Sequence, residues 1–170
     1  MNAQLETTAP AAKSKEVGSP KKKIMLVDDD PAIRKILMRL LEEEEYLVVT
    51  AANGVEALAM NEATNVDLVL LDLNMPVKGG WETFEELTRT NPLLPVILIT
   101  ARPNQLFPAL GSGVGALLEK PLDFVKLFDT IRTLMEEDPE ERLARLAGQS
   151  AMFRYVPPIP ESSQLKGRSK

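Results

Sequence analysis

The chain has 170 residues, of which 44% are hydrophobic, and its formal net charge is −5. It contains no cysteine and no histidine, which excludes disulfides, thiolate or imidazole catalysis, and metal sites of the cysteine- and histidine-rich kind. A secretory signal is not recognisable, and no apolar run approaches the ~18 residues of a membrane span. We therefore expect a cytoplasmic protein with no membrane partner.

The charge is unevenly distributed along the chain. Residues 24–136 carry eighteen acidic against nine basic side chains, whereas residues 1–23 carry five lysines against two glutamates. An acidic surface repels the phosphate backbone of nucleic acids, so the sequence predicts no direct nucleic-acid binding. Residues 1–21 are small and polar without any period, and we expect a disordered leader there.

Short apolar runs alternate with helical patterns over residues 22–137. The runs predicted as strands are 24–27, 46–51, 66–76, 95–100 and 116–120. Helical patterns follow Asp30-Pro31, Asn53-Gly54 and Gly79-Gly80, and the last one extends from Asp123 to about Glu136 with Phe124 on its apolar stripe. Strands that are apolar on both faces are typical of a parallel sheet. The sequence thus predicts a doubly wound α/β domain with helices on both faces of the sheet.

One connection breaks this alternation. The segment between Thr100 and Ala116, ARPNQLFPALGSGVG, holds two prolines and three glycines. Proline interrupts the hydrogen-bond ladder of a helix and glycine costs conformational entropy, so the fourth helix is expected to be short or irregular.

Residues 138–170 form a predicted C-terminal extension. Asp138 as helix cap and Pro139 at the first helical position predict a short helix, and the remainder is expected to be a Pro-rich, partly disordered tail. Phe153, Tyr155 and Val156 would be costly in water. We therefore expect residues 139–160 to dock on the domain or on a partner.

Polar residues stand at the carboxyl ends of four predicted strands: Asp28 and Asp29, Asp72, Thr100, and Lys120. In an open parallel sheet ligands bind beyond these ends, so we expect the five side chains to converge. Clustered carboxylates without histidine form an oxygen-rich site, which suits Mg²⁺ better than zinc or copper.

The motifs VDDDP, DLVLLDLNMPVKGG, ILITA and EKP, in this order and spacing, resemble the receiver domain of two-component response regulators over residues 22–137. The resemblance implies a flavodoxin-like, five-stranded parallel sheet in the order 2-1-3-4-5. Only 34 residues follow Glu136, too few for a DNA-binding or catalytic domain, so we expect a stand-alone, single-domain regulator.

The resemblance also implies roles for individual residues. Asp72 would be the phosphoacceptor, and Asp28, Asp29, Asp72 and the backbone carbonyl of Asn74 would hold Mg²⁺. Thr100 would hydrogen-bond the phosphoryl oxygens, and Lys120 would pair with them, with a cis peptide bond to Pro121. Asp30 would then be a helix cap and not a ligand.

The chemistry is consistent with these roles. A carboxylate that attacks an anionic phosphoryl group meets charge repulsion, which Mg²⁺ and a lysine ammonium would neutralise from two sides. Because the chain has no histidine, the phosphodonor must be another molecule, either a histidine kinase or phosphotransfer protein or a small acyl phosphate. Catalysis would be confined to self-phosphorylation and slow self-dephosphorylation at Asp72, with output through an unknown protein partner or a homodimer.

Two alternatives stay open. Receivers usually have Tyr or Phe three residues before the lysine, where this chain has Leu117, and the fourth helix is interrupted. Both departures favour a phosphorylation-independent interaction module, a pseudo-receiver. A Mg²⁺-dependent phosphohydrolase with Asp72 as covalent nucleophile is the second alternative, although such enzymes commonly place an acid two residues further on, at the position of Asn74.

Overall fold

The computed structural model describes residues 20–102, 104–147 and 153–160. Its strands are β1 Lys23–Val27, β2 Leu47–Ala51, β3 Leu68–Asp72, β4 Val96–Thr100, β5 Ala116–Glu119 and β6 Arg154–Val156. Its helices are α1 Pro31–Glu43, α2 Gly54–Ala63, α3 Gly80–Thr90, α4 Leu106–Gly111, α5 Phe124–Glu136 and α6 Pro139–Leu146. Residues 1–19 of the predicted leader and residues 161–170 of the predicted tail lie outside the described residues.

The described strands form one parallel sheet in the order β2-β1-β3-β4-β5-β6. The first five confirm the predicted order 2-1-3-4-5. The predicted count of five is wrong by one, because Arg154–Val156 pair with Ala116–Leu118 and extend the sheet beyond β5. The expectation that residues 139–160 dock on the domain is therefore confirmed for their described part.

Two apolar layers cover the sheet. One contains Phe84 and Leu87 of α3 and Ala109 of α4, together with Leu117 of the sheet. The other contains side chains of α1, α5 and β6, among them Val156. Because both faces are covered by helices, the central strands are buried throughout, as the unbroken apolar runs predicted.

The apolar stripe of α5 extends beyond this core. Phe124 was expected inside, yet it is 41% exposed. With Ile36 of α1 and Pro121 it lines a groove of about 250 Å³ beside Lys120. The stripe thus continues from the core onto the surface next to the polar end of the sheet.

The fourth helix is short, as predicted. α4 has six residues, includes Pro108, and leaves Phe107 and Leu110 exposed. Gly113, shortly after this helix, has a φ of +76°, a conformation that favours glycine. None of the helices in the described ranges is long and apolar enough to cross a bilayer.

Candidate functional site

The candidate site lies at the carboxyl ends of β1, β3, β4 and β5. Asp28 follows β1, Asp72 ends β3, Thr100 ends β4 and Lys120 follows β5. The sheet order places β1 beside β3 and β4 beside β5, with Thr100 paired to Glu119 in the register. The side chains that the sequence placed at strand ends are therefore brought to one edge of the sheet.

Three carboxylates meet at this edge. Asp28 and Asp72 are only 1% and 3% exposed, whereas Asp29 is exposed. One carboxylate oxygen from each of the three lies within 4.8 Å of the others. Like charges at this distance repel one another, and burial strengthens the repulsion, so the cluster requires a cation for stability.

Lys120 supplies one such cation. Its Nζ donates to Asp72 Oδ2 at 2.6 Å and to Asp28 Oδ2 at 3.0 Å, so the ammonium bridges the two buried carboxylates. The peptide bond from Lys120 to Pro121 is cis, as expected. The backbone of Lys120 continues the hydrogen bonding between β5 and β4, because its N–H donates to the Thr100 carbonyl at 2.8 Å.

Burial and pairing oppose each other in the pKa of these groups. Burial alone would lower the pKa of Lys120, but hydrogen bonds to Asp72 and Asp28 outweigh it and hold the pKa above the usual lysine value. Burial raises the pKa of the Asp28 carboxyl, while Lys120 and the Asp30 N–H act in the opposite direction. The lysine is therefore firmly cationic at neutral pH.

Backbone N–H groups orient the two buried carboxylates. The Asp30 N–H donates to Asp28 Oδ1 and the Asn74 N–H donates to Asp72 Oδ1, both at 2.9 Å. Each bond spans two residues, so each aspartate shapes the turn that follows its strand. Asp30 itself caps α1, accepting from the N–H groups of Ala32 and Ile33, as predicted.

Thr100 lies beside this cluster. Its buried Oγ1 accepts from the Arg102 N–H at 3.0 Å and lies 3.5 Å from the Asn74 amide nitrogen. The amide oxygen of Asn74 is buried and has no hydrogen-bond partner among the described residues. A buried acceptor without a donor is costly, and it marks a place where an additional polar or cationic group would be stabilised.

Two contacts at the site were not predicted. Arg34 Nη1 donates to the Asp28 carbonyl at 2.5 Å, which ties α1 to the end of β1. The side-chain amide of Asn74 faces Thr100, whereas the sequence analysis considered only its backbone carbonyl. Arg34 lies six residues after Asp28 on a helix, and a basic residue on a helix gives no signal that separates this role from a solvated one.

The loop after Asp72 is held closely against the strand end. A Cβ at Gly80 would lie 2.4 Å from the Asp72 carbonyl oxygen and 2.4 Å from the Leu73 Cα, so only glycine fits there. Val77 has a φ of 72° and is 89% exposed. Such a backbone is unusual for a β-branched residue, and strain of this kind tends to occur at functional sites.

The donor set fits Mg²⁺. All three clustered side chains offer hard carboxylate oxygens, and the orphaned Asn74 amide oxygen lies in the same region. Asp28, Asp29 and Asp72 are the residues that would hold the ion. The backbone carbonyl of Asn74 stays a prediction.

Comparison with known proteins identifies the class. The family model described as the response regulator receiver domain matches residues 24–132. The chain belongs to this family, and the parallel α/β fold and the acidic cluster agree with that membership.

Named relatives are response regulators from several organisms. The transcriptional regulatory protein CpxR of Klebsiella pneumoniae is 42% identical over 115 residues, which cover 66% of this chain and 49% of the relative. The transcriptional regulatory protein GlrR of Escherichia coli is 38% identical over 116 residues, or 67% of this chain and 26% of the relative. The chain thus spans about half or less of these two relatives.

Solved structures show the same fold. A CheY-like response regulator receiver domain protein from Methanospirillum hungatei has a TM-score of 0.67 and 31% identity, covering 72% of this chain and 99% of that one. The response regulator protein TrrA from Thermotoga maritima, solved in complex with Mg²⁺-BeF, has a TM-score of 0.63 and 34% identity, covering 66% and 98%.

Proposed function

We propose that this protein is a phosphorylation-dependent signalling switch that accepts a phosphoryl group on Asp72 from a histidine kinase or phosphotransfer protein. The observation that carries the proposal is the Lys120 ammonium bridging two buried carboxylates, 2.6 Å from Asp72. A purely structural ion pair needs one carboxylate. Two buried carboxylates plus a third exposed one form an excess of negative charge that would hold a cation, and that cation in turn would attract the phosphoryl group.

The reaction forms one bond and breaks one. An Asp72 Oδ attacks the phosphorus of a phosphohistidine, the P–O bond forms, and the P–N bond breaks with its electron pair leaving on the donor imidazole. The carboxylate of charge −1 becomes an acyl phosphate of charge about −2, and the site must neutralise the added charge. Mg²⁺ bound among Asp28, Asp29 and Asp72 would offset part of it.

The other groups act on the transferred oxygens. Lys120 would exchange its direct bond to Asp72 for a bond to a phosphoryl oxygen, which keeps its charge beside the growing negative charge. The Thr100 hydroxyl accepts the Arg102 N–H at 3.0 Å and donates to the Arg102 carbonyl only at the long distance of 3.5 Å, so it would turn its proton toward a second phosphoryl oxygen. Asp28, oriented by the Asp30 N–H, would stay in place as a ligand.

Intact-mass measurement after incubation with Mg²⁺ and acetyl phosphate tests the proposal. The wild-type chain is expected to gain one phosphoryl group, and Asp72→Asn to gain none. Asp30→Asn is the matched control, because asparagine caps helices as well as aspartate does and Asp30 caps α1. Loss of the mass gain in Asp30→Asn, or its persistence in Asp72→Asn, would refute the assignment.

One observation favours a second candidate. Leu117 is fully buried where the resemblance implies an aromatic ring, and this favours a phosphorylation-independent interaction module. No mass gain under conditions that phosphorylate a control receiver supports that candidate. Rapid consumption of acetyl phosphate without accumulation supports the phosphohydrolase. For the switch, we propose that output passes through a protein partner or through self-association.

A further inference from the structure

The C-terminal segment, residues 153–160, makes contacts that phosphoryl transfer does not use. Its strand β6 pairs with β5 in register, with Val156 opposite Leu118. Val156 is buried in the layer beneath α1 and α5, and Phe153 packs on the layer of the other face. The segment therefore covers the β5 edge and contributes to both faces of the sheet.

The preceding helix α6 is fixed firmly to the domain. Arg145 forms two bonds of 2.9 Å to the carboxylate of Glu137, and both side chains are at most 5% exposed. Arg145 also donates to the Gly113 carbonyl, and Arg142 donates to the Leu93 carbonyl at 2.8 Å. These bonds hold α6 independently of the strand that follows it.

Other contacts tie β6 to its neighbours. Arg154 donates to Thr133 Oγ1 of α5 at 2.7 Å and lies 3.1 Å from Asp129 Oδ2. Tyr155 pairs with Leu117 in the register. An aromatic ring thus stands one strand away from the position where the resemblance implies one.

The end of the segment contacts the residue that follows Lys120. The Ile159 N–H donates to the Pro121 carbonyl at 3.2 Å, at the long end of the usual range. Pro121 directly follows Lys120, whose side chain reaches Asp28 and Asp72. One short stretch of backbone therefore joins the bridging ammonium to the end of the added strand.

A phosphoryl group would disturb this stretch. Asp72 Oδ2 and Lys120 Nζ are 2.6 Å apart, which leaves no room for a phosphorus atom and its oxygens between them. Because Asp72 Oδ1 already accepts the Asn74 N–H, this proposal places the phosphoryl group on Oδ2, and the ammonium would then move outward when Asp72 is modified. The long bond from Ile159 is the weakest attachment that shares its backbone, and we expect it to break first.

We propose that residues 153–160 are a detachable strand that reports the state of Asp72: phosphorylation breaks the bond between Ile159 and Pro121 and loosens β6 from β5. The proposal rests on the proposed function and names its regulatory element. The uncovered edge of β5 would present unpaired backbone groups, which makes it a surface for output.

Hydrogen exchange read by mass spectrometry tests this on the full chain, with and without Mg²⁺ and acetyl phosphate. Loss of one hydrogen bond predicts that peptides from β6 and β5 exchange about two- to tenfold faster after phosphorylation. Peptides from α6 and β1 should not change. Intact mass is measured on the same sample. A phosphoryl gain with unchanged β6 exchange overturns this inference and spares the proposed function, whereas no gain defeats both.

The variant Ile159→Pro tests the hydrogen bond between Ile159 and Pro121 separately from the pairing of β6 with β5. It removes the donor N–H, and the position suits proline because a residue that precedes a proline, as Ile159 precedes Pro160, favours an extended backbone. We expect β6 to exchange faster before phosphorylation and to show no further acceleration afterwards, while the control Ile159→Val behaves as wild type. A wild-type response in Ile159→Pro would show that this bond does not carry the signal.

Reciprocal coupling gives a second readout. If phosphorylation loosens the strand, a loosened strand must favour the phosphorylated state by the same factor. Beryllofluoride with Mg²⁺, used as the phosphoryl analogue in calorimetry, should bind Ile159→Pro about two- to tenfold more tightly than Ile159→Val. Equal affinities would reduce the segment to a structural element only.

Discussion

Glu137→Gln should destabilise the protein, because it removes the charge of the buried carboxylate that Arg142 and Arg145 share. Glu137 accepts two bonds from Arg145 at 2.9 Å and one from Arg142 at 3.2 Å, and its side chain is 3% exposed. Removing one partner of a buried ion pair costs about 3–5 kcal/mol. Since Arg145 keeps the Gly113 carbonyl and glutamine keeps one acceptor, we expect about 3 kcal/mol, at the low end of that range.

Urea unfolding at pH 7 measures this loss. Glu136→Gln is the matched control, because Glu136 is the exposed neighbour in the chain, and its free energy of unfolding should change by no more than about 0.5 kcal/mol. The reasoning fails if the two variants are equally stable, since the buried pair would then contribute nothing that an exposed carboxylate does not.

The same pair predicts a dependence on pH. Burial would raise the pKa of Glu137, but hydrogen bonds from Arg145 and Arg142 outweigh it and lower the pKa below the ordinary 4.5. The stabilisation is therefore complete above that value and is lost as the pH falls through the folded-state pKa. The difference in stability between wild type and Glu137→Gln should shrink below about pH 4.5. Free carboxylates are mostly protonated at about pH 3. A difference in stability that stays constant down to that pH would contradict this account.

The loop after β3 and the cluster of Asp28, Asp29 and Asp72 give three further predictions. Gly80→Ala should abolish phosphorylation of Asp72, because its Cβ would lie 2.4 Å from the Asp72 carbonyl, whereas Gly79→Ala, with nothing within 4 Å, should leave the mass gain unchanged. Val77→Gly should stabilise the chain by about 1 kcal/mol in urea unfolding by relieving a φ of 72°. Glycine at Val125, an exposed helical valine, should instead destabilise the chain by roughly 0.4 kcal/mol. Millimolar Mg²⁺ should raise the melting temperature and EDTA should reverse the gain; an unchanged melting temperature would argue against a site built from these carboxylates.

The central sheet could be predicted because its strands carry their own signal. β3 and β4 are five-residue runs buried at every position, each ending in a polar residue, Asp72 or Thr100. A run that is apolar on both faces requires a covered parallel strand, and the parallel arrangement then brings all the strand ends to one edge. The convergence of the site followed from that geometry alone.

The added strand could not be predicted in the same way. β6 has only three residues, too few for a period, and prolines follow it at 157 and 158. What makes Arg154–Val156 a strand is the open edge of β5 and the apolar layer that receives Val156, and both are tertiary features.

The buried ion pair between Glu137 and Arg145 could not be predicted from the sequence either. The sequence of α6, PEERLARL, has the composition of an exposed amphipathic helix, and Arg145 is buried only because Glu137 and the Gly113 carbonyl converge on it from other elements. The prediction for Phe124 failed in the opposite way, because the side chain was expected in the core and is exposed. A regular apolar stripe on a helix does not reveal where the core ends.

The arrangement of α6 and β6 sets a rule for protein engineering. A foreign effector joined directly after α5, with the junction at Glu136, would remove Arg142 and Arg145 together with β6 and would leave the edge of β5 unpaired. A chimaera joined there should be prone to aggregation, since an unprotected strand margin pairs readily with other chains. A biosensor built on this protein should therefore carry its reporter after Pro160, which keeps both α6 and β6 in place.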